Sequence, residues 1–297
     1  VVSMDFKAQE LRLIADYSRD PNLVACYVGD DLKDMHCLTG AAILQKLRPK
    51  EDWSYETFSK IYAKTELDKE FKSSDLGKLV KKYRGLGKTT NFATEYGAMA
   101  AKLSQTMMVT EAEAQIFIDA RESMFRVSAK WKQGVVEEAK KFGFVRTKGG
   151  AIRHLRDAFM SEDHWIKSKA ERQAVNFKVQ SSCAEMTKRA EGRMWQQGLF
   201  FNFDAVCLGS VHDEIVCSVM IKDLMEFLPI MHACMVAPYA DMEIPIESSI
   251  SFGSSFGEQL EIGDDPAASE ISKGLVALWQ AQGGVPERFR SLIVSGV

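Results

Sequence analysis

The sequence has no CxxC pair, no internal repeat and no low-complexity segment, and none of its apolar runs approaches the eighteen or so residues of a membrane span. Six cysteines (Cys26, Cys37, Cys183, Cys207, Cys217 and Cys234) are scattered singly. That excludes the paired spacing of a zinc site and reads as free, mostly buried thiols of a reducing compartment. There is no secretory leader pattern, and no membrane association is expected. Position 1 is valine rather than an initiator Met, and the apolar run Val1-Val2-Ser3-Met4-Asp5-Phe6 reads as a strand with nothing before it. The expectation is that upstream material has been removed or lies in another chain.

What is present is enough for a large core: 297 residues, 46% of them hydrophobic. The net charge of −3 conceals an asymmetry. Residues 78–193 hold 23 Lys and Arg against 13 Asp and Glu, a balance of +10, and the remainder carries −13. A basic middle with acidic flanks suits a polyanion, with carboxylates to spare for metal. By itself it also suits an ordinary solvated helical surface.

Periodicity and breakers give an order of elements. A helix follows the first strand over residues 8–15. A second covers residues 36–47 and stops at Arg48-Pro49. The charged stretch 50–74 carries aromatics (Trp53, Tyr55, Phe58, Tyr62, Phe71) at helical spacing, which predicts packing of short helices rather than base stacking. Thr110 and Glu113 form a capping box opening one long helix to about Lys141. Gly149-Gly150 joins a hairpin over 144–155, and residues 166–197 form another long helix ended by Gly198. Residues 200–220 are β-rich and broken at His212-Asp213. Residues 223–236 are helical, 243–252 a last strand, and a mostly helical tail follows Gly263.

Two stretches carry chemistry. In Arg84–Gly97, RGLGKTTNFATEYG, Arg84, Lys88, Phe92 and Tyr96 recur every four residues and share one helix face. Cations at one end suit phosphate, and aromatics at the other suit something planar. Gly85 and Gly87 are expected to loosen the first turn of this helix by roughly 1 kcal/mol each relative to Ala. The second stretch, Val211-His212-Asp213-Glu214, lies between apolar runs, so a hairpin would project adjacent carboxylates from rigid strands. Asp5, ending another strand, is a natural third. Two hard cations about 3.5–4 Å apart, bridged by such groups, would activate a hydroxyl nucleophile and stabilise a leaving pyrophosphate. Taken alone, the tetrapeptide is also an ordinary surface turn.

In order along the chain, Asp5-Phe6-Lys7-Ala8-Gln9-Glu10-Leu11-Arg12 is similar to D-[YF]-S-x-x-E-L-R. Arg84, Lys88, Phe92, Tyr96 and Gly97 match R-x3-K-x3-[FY]-x3-Y-G, and His212-Asp213-Glu214 matches H-D-E. Between them, Asp34-Met35-His36-Cys37-Leu38-Thr39 is similar to D-I-H-x-x-T. Gly143–Thr147 with Gly150 and Arg153 follows G-Y-x-x-T…G-R, and Arg172, Asn176 and Gln180 match R-x3-N-x3-Q. Over residues 1 to about 260 the chain thus resembles family A DNA polymerases, the type of bacterial DNA polymerase I and several phage replicases.

The resemblance implies an α/β (α+β) fold, an antiparallel palm sheet with an inserted, mostly helical fingers subdomain. Thumb and exonuclease would be absent from this chain. Residues 1–34 and 166–262 would be palm, 35–165 fingers and 263–297 a helical tail. Asp5 and Asp213, helped by the Phe6 carbonyl, would hold two Mg²⁺, with Mn²⁺ able to substitute. Lys88 and Arg84 would bind the triphosphate, with Lys88 able to protonate the departing pyrophosphate, and His36 would add a phosphate contact. Phe92 would lie along the incoming sugar and base. Glu10 with Tyr96 would exclude a ribose 2′-hydroxyl, although Lys7-Ala8-Gln9 departs from the usual Ser-Gln-Ile beside Glu10. Arg172, Asn176, Gln180 and His212 would follow the primer–template minor groove, with Glu214 near the primer end. Partners would be primer–template DNA, dNTP and an upstream polypeptide or subunit carrying the thumb. The place would be the cytoplasm, nucleoid or phage-infected host.

Two other readings compete. Gly85-Leu86-Gly87-Lys88-Thr89 looks like the end of an NTPase P-loop, but Lys82 stands where that motif needs Gly. A non-catalytic accessory subunit would be expected to have lost Asp5 or Asp213, and both are present.

Overall fold

The computed structural model describes residues 1–95, 97–264 and 266–281. Seven strands lie among them: β1 (Val2–Phe6), β2 (Phe144–Arg146), β3 (Ile152–His154), β4 (Ala205–Val211), β5 (Glu214–Val219), β6 (Ser248–Ser255) and β7 (Glu258–Gly263). Two compact units are formed, one from residues 1–13 with those from 180 on, the other from 14–179.

The first unit is built on an antiparallel sheet in the order β4-β5-β1-β6-β7. β1 is central because its side chains are apolar or small on both faces. Val2, Ser3, Met4 and Phe6 are all buried, and Asp5 alone is exposed. The helix Leu224–Val236 buries Phe227, Leu228, Met231 and Met235, and it contacts β1 and β6. The expected last strand is instead two. β6 starts at Ser248, and β7 follows it across bulges at Ile250/Ser251 and Gly253/Ser255. A Cβ on Gly253 would sit 1.8 Å from the Glu258 carbonyl oxygen, so only glycine permits that turn-back. β7 lies at the sheet edge with little buried side chain, and so carries no alternating apolar signal. The tail helix Ala268–Ala281 lies flat on this corner, with Gly274 against Ile262 and Phe252, and it buries Ile271 and Leu275. The rest of the expected tail, 282–297, falls outside the described residues.

The second unit is mostly helical. The helix Met35–Leu47 packs against the long helix Asp75–Glu95 at two glycines. A Cβ on Gly40 would meet the Tyr83 carbonyl oxygen at 2.8 Å, and one on Gly87 the His36 carbonyl oxygen at 2.6 Å. The aromatics of the charged stretch pack here as expected, with Trp53 and Phe58 buried beside Leu44 and Val80. β2 and β3 form the expected ribbon. The capping box at Thr110–Glu113 has both of its bonds, but its helix ends at Met124 and a new one runs Arg126–Phe142. The break comes from far along the chain. The buried Asp20 carboxylate accepts from the Val127 and Ser128 amides, both at 3.0 Å, and Asn22 donates to the Met124 carbonyl at 2.7 Å. A remote carboxylate thus satisfies amides that an unbroken helix would use internally.

Candidate active site

The residues singled out in the sequence fall into one group in each unit. In the first, Asp5, the penultimate residue of β1, lies directly opposite Glu214 of β5 and Ser249 of β6. β4 and β5 are joined by the two residues His212-Asp213, with Val211 opposite Glu214. His212 has φ +58, the left-handed value that primed hairpin turns require at their first loop position and a strained one for a non-glycine residue. The Phe6 amide donates to the Asp213 carbonyl at 3.2 Å and locks the loop to β1. The two strand ends therefore hold Asp5 and Asp213 side by side, hydrogen-bonded to each other.

That pairing is electrostatically unfavourable. Partial desolvation first, and then Asp213, Glu214 and Glu261, together raise the Asp5 carboxyl to about 6. Glu261, on β7, had no signal in the sequence. Glu10, on the helix Gln9–Ser18, belongs to the same neighbourhood. The Cys183 thiol is pushed up by burial and then by Glu10 and Asp213, and the Gln9 amide donates to the Cys183 carbonyl at 3.3 Å. The buried Arg12 ties down the turn after β1. It donates to the Lys7 carbonyl at 3.0 Å and the Pro245 carbonyl at 2.7 Å, and it pairs with Glu247 at 2.7 Å. His212 and Gln180 are exposed.

Among the described residues no three His, Cys, Asp or Glu side chains form a cage that could hold an ion unaided. A pair of hard carboxylate oxygens fits an ion of the Mg²⁺ type, which keeps waters and takes phosphate oxygens besides one or two carboxylates.

In the second unit Arg84, Lys88 and Phe92 of the expected stripe lie on one helix, Asp75–Glu95. Residues 85–89 lie inside an unbroken helix, which rules out a phosphate-binding loop there. That helix begins at Asp75, so Gly85 and Gly87 are interior rather than in its first turn. Gly85 faces open space, and Gly87 is a packing contact. Lys88 is exposed, and Phe92 is 45% exposed, which removes the alternative that it is core.

Arg84 is more constrained than its place in the stripe suggests. Its Nε and Nη2 donate to Asp34 Oδ2 at 3.1 and 2.8 Å, and its guanidinium lies 4.6 Å from the Tyr62 ring centre. Asp34 in turn caps the helix Met35–Leu47 through the His36 and Cys37 amides. The Asp34 carboxyl is held below its ordinary range: burial acts to raise it, and the bond from Arg84 and the Cys37 amide outweigh that. His36 stands over Phe92, ring centres 5.9 Å apart. Burial lowers the His36 pKa, Arg84 and Lys88 lower it further, and Asp34 opposes them. Asn91, Asp34 and Tyr62 are the residues that the sequence reading left without a role. Asn91 lies seven residues after Arg84, two helical turns on, which is the signal that would have flagged it.

Tyr96 falls outside the described residues. Gly97, next to it, has φ +73, and a Cβ there would meet Arg172 Cδ at 3.1 Å. Arg172 also donates to Ser168 Oγ at 2.8 Å. Gly97 and Arg172, with Thr94, Glu95, Lys132 and Asn176, line a cavity of about 400 Å³.

The sequence pattern of DNA polymerase family A matches residues 1–258. The thermostable DNA polymerase I of Thermus filiformis is 26% identical over 258 residues, 87% of this chain and 27% of its own length. DNA polymerase I of Bacillus subtilis (strain 168) is 26% identical over 256 residues, 86% of this chain and 26% of its own length. The chain therefore spans about a quarter of the length of these relatives. Among solved structures, the POL domain of Pol1 from M. smegmatis, in complex with DNA primer-template and dNTP, superimposes with a TM-score of 0.68 at 22% identity. The match covers 86% of this chain and 39% of that one. A match running unbroken from the strand of Asp5 past the hairpin of Asp213 covers most of the sequence, and the chain belongs to DNA polymerase family A.

Proposed function

We propose that the chain catalyses template-directed DNA synthesis, joining a deoxynucleotide from its triphosphate to a primer 3′-hydroxyl with release of pyrophosphate. The observation that carries this reading is the pair Asp5 and Asp213. Two strand ends hold these carboxylates together, and partial burial followed by the charge of Asp213 raises Asp5 to about 6, an arrangement that favours a bound cation over stability of the free protein. Divalent metal is the general requirement that the family implies, and two Mg²⁺ on Asp5, Asp213 and the Phe6 carbonyl is the finer reading. When bound, such ions lower the pKa of the attacking hydroxyl and neutralise charge on the leaving phosphates.

The chain's own residues would do the rest. Asp34 engages two of the five guanidinium N–H donors of Arg84, which leaves others for phosphate oxygens in a fixed orientation. Lys88 and His36 would complete the triphosphate grip, with Lys88 protonating pyrophosphate as it leaves, and the exposed Phe92 ring would carry sugar and base. Glu10 with Tyr96 would select deoxyribose. Arg172, Asn176, Gln180 and His212 would follow the minor groove, with Glu214 beside the primer end. In these terms 1–34 and 166–262 are palm, 35–165 fingers and 263–297 a tail, acting in the cytoplasm with an upstream polypeptide that grips the duplex. Among the described residues no helix is long and apolar enough to cross a membrane.

Primer extension, with and without the upstream polypeptide, tests the reading. Asp213→Asn should lower the rate on the order of a thousandfold, the equivalent of several kcal/mol of lost charge stabilisation. Full activity in that variant would sink it.

A further inference from the structure

Asn91 is fully buried on the helix Asp75–Glu95, between the helix Met35–Leu47 and the stripe, and every polar atom of its side chain is committed. Its Oδ1 accepts from the Thr39 hydroxyl at 2.8 Å. Its Nδ2 lies 3.4 Å from the Met35 carbonyl oxygen and 3.2 Å from His36 Nδ1. The carbonyl fixes which way the amide points, since the reversed amide would set Oδ1 against the Met35 oxygen. An NH₂ group has two hydrogens, and these two acceptors use both. His36 Nδ1 is therefore an acceptor, and the ring proton of the neutral imidazole sits on Nε2.

We propose that Asn91 is a positioning residue for the triphosphate contact, holding His36 as the neutral Nε2–H imidazole that donates to a phosphate oxygen. The proposal rests on the polymerase reading given above. Protonating Nδ1 would set one N–H against another and strand a buried donor, so Asn91 opposes the imidazolium. The charged groups facing His36 act with it on balance: Arg84 and Lys88 from the stripe helix disfavour a third positive charge, and only Asp34, at the cap of its own helix, favours one. A neutral donor between two cations adds a directed bond without adding charge, and its strength does not change with pH through the neutral range. Phe92 lies tilted against the same ring, with centres 5.9 Å apart, so a fixed ring plane also limits where base and sugar can lie.

Nitrogen-15 NMR of the whole chain labelled at its five histidines, with His36 assigned through His36→Gln, tests this. At pH 7.5 the wild-type ring should show the Nε2–H tautomer, and inorganic triphosphate with Mg²⁺ should move that resonance. Asn91→Asp should raise the His36 pKa by about one unit or more through the new carboxylate. It should thereby introduce an inflection between about pH 6 and 8 in the nucleotide KM profile, and the inflection should vanish in the double variant with His36→Gln. Asn91→Leu leaves the Thr39 hydroxyl donating to the Met35 carbonyl, 3.2 Å away, so the helix contact survives. It should give mixed tautomers and severalfold weaker triphosphate binding. A wild-type ring protonated on Nδ1, or unmoved by Asn91→Asp, overturns the positioning role. The stated tautomer with a resonance that triphosphate leaves unmoved overturns the phosphate contact instead, and with it the reading of the stripe.

Discussion

Asp5 carries an electrostatic strain that a bound cation would relieve. Its carboxyl ionises at about 6 in the folded protein against an ordinary value of 3.8. The folded state thus holds this proton more tightly than the unfolded chain does. Without metal, the group destabilises the fold progressively as pH rises from about 4 through about 6, and fully above that. Asp5→Asn should therefore stabilise the metal-free protein at pH 7.5, by ~1 kcal/mol once solvent screening is allowed for, and leave it unchanged near pH 4. Thermal melts in a chelator at both pH values check the sign, and a loss of stability at pH 7.5 would contradict it. The same proton competes with metal, so Mn²⁺ affinity should fall about tenfold per pH unit below about 6. Asp5 and Asp213 were legible in the sequence because strand ends and a two-residue hairpin loop place their carboxylates by local rules alone. Asn91, Glu261 and the pairing of Asp34 with Arg84 were not, because each acts on a residue far away in sequence.

At the scale of elements, the contact between the helices Met35–Leu47 and Asp75–Glu95 sets where His36 stands relative to Arg84, Lys88 and Phe92. Two glycines in the same helix make opposite predictions. Gly85 has nothing within 4 Å of a built Cβ, so Gly85→Ala should gain up to about 1 kcal/mol of helix propensity. At Gly87 that gain meets backbone atoms of His36 and Gly40 at 2.6 and 2.8 Å, which have no rotamer to move out of the way. Gly87→Ala should therefore lose about 1–3 kcal/mol overall. Urea unfolding of the two variants decides it, and equal shifts would refute the packing role. The sequence showed both glycines but only their propensity, which is why it expected the same effect from each. The single long helix expected from Thr110 failed for a related reason. Its pattern and cap are sound, but the Asp20 carboxylate reaches the amides of residues 127 and 128 across more than a hundred residues. β7 was missed because an edge strand with exposed side chains leaves no alternation to read.

At the scale of the whole molecule, the proposed function would have a chain of net charge −3 hold a polyanion. Composition alone argues against that, and the segregation of +10 into residues 78–193 argues for it. Binding through such a stretch should be driven by release of counterions. The logarithm of the duplex binding constant should then fall linearly with the logarithm of salt concentration, with a slope near −0.9 for each phosphate neutralised. Arg172 lies within that stretch and is partly exposed, its stem against Gly97 and one terminal nitrogen on Ser168. Arg172→Gln should therefore weaken primer–template binding and reduce the slope by about one, uniformly across DNA sequences. Asp75→Asn, at the far end of the stripe helix, should leave the slope unchanged. Fluorescence anisotropy of a labelled primer–template between about 50 and 200 mM salt reads both quantities. An unchanged slope in Arg172→Gln, with weaker binding, would mean that this arginine acts through packing against Gly97 and not through phosphate. A flat salt dependence in the wild type would mean that the basic stretch does not face the duplex at all.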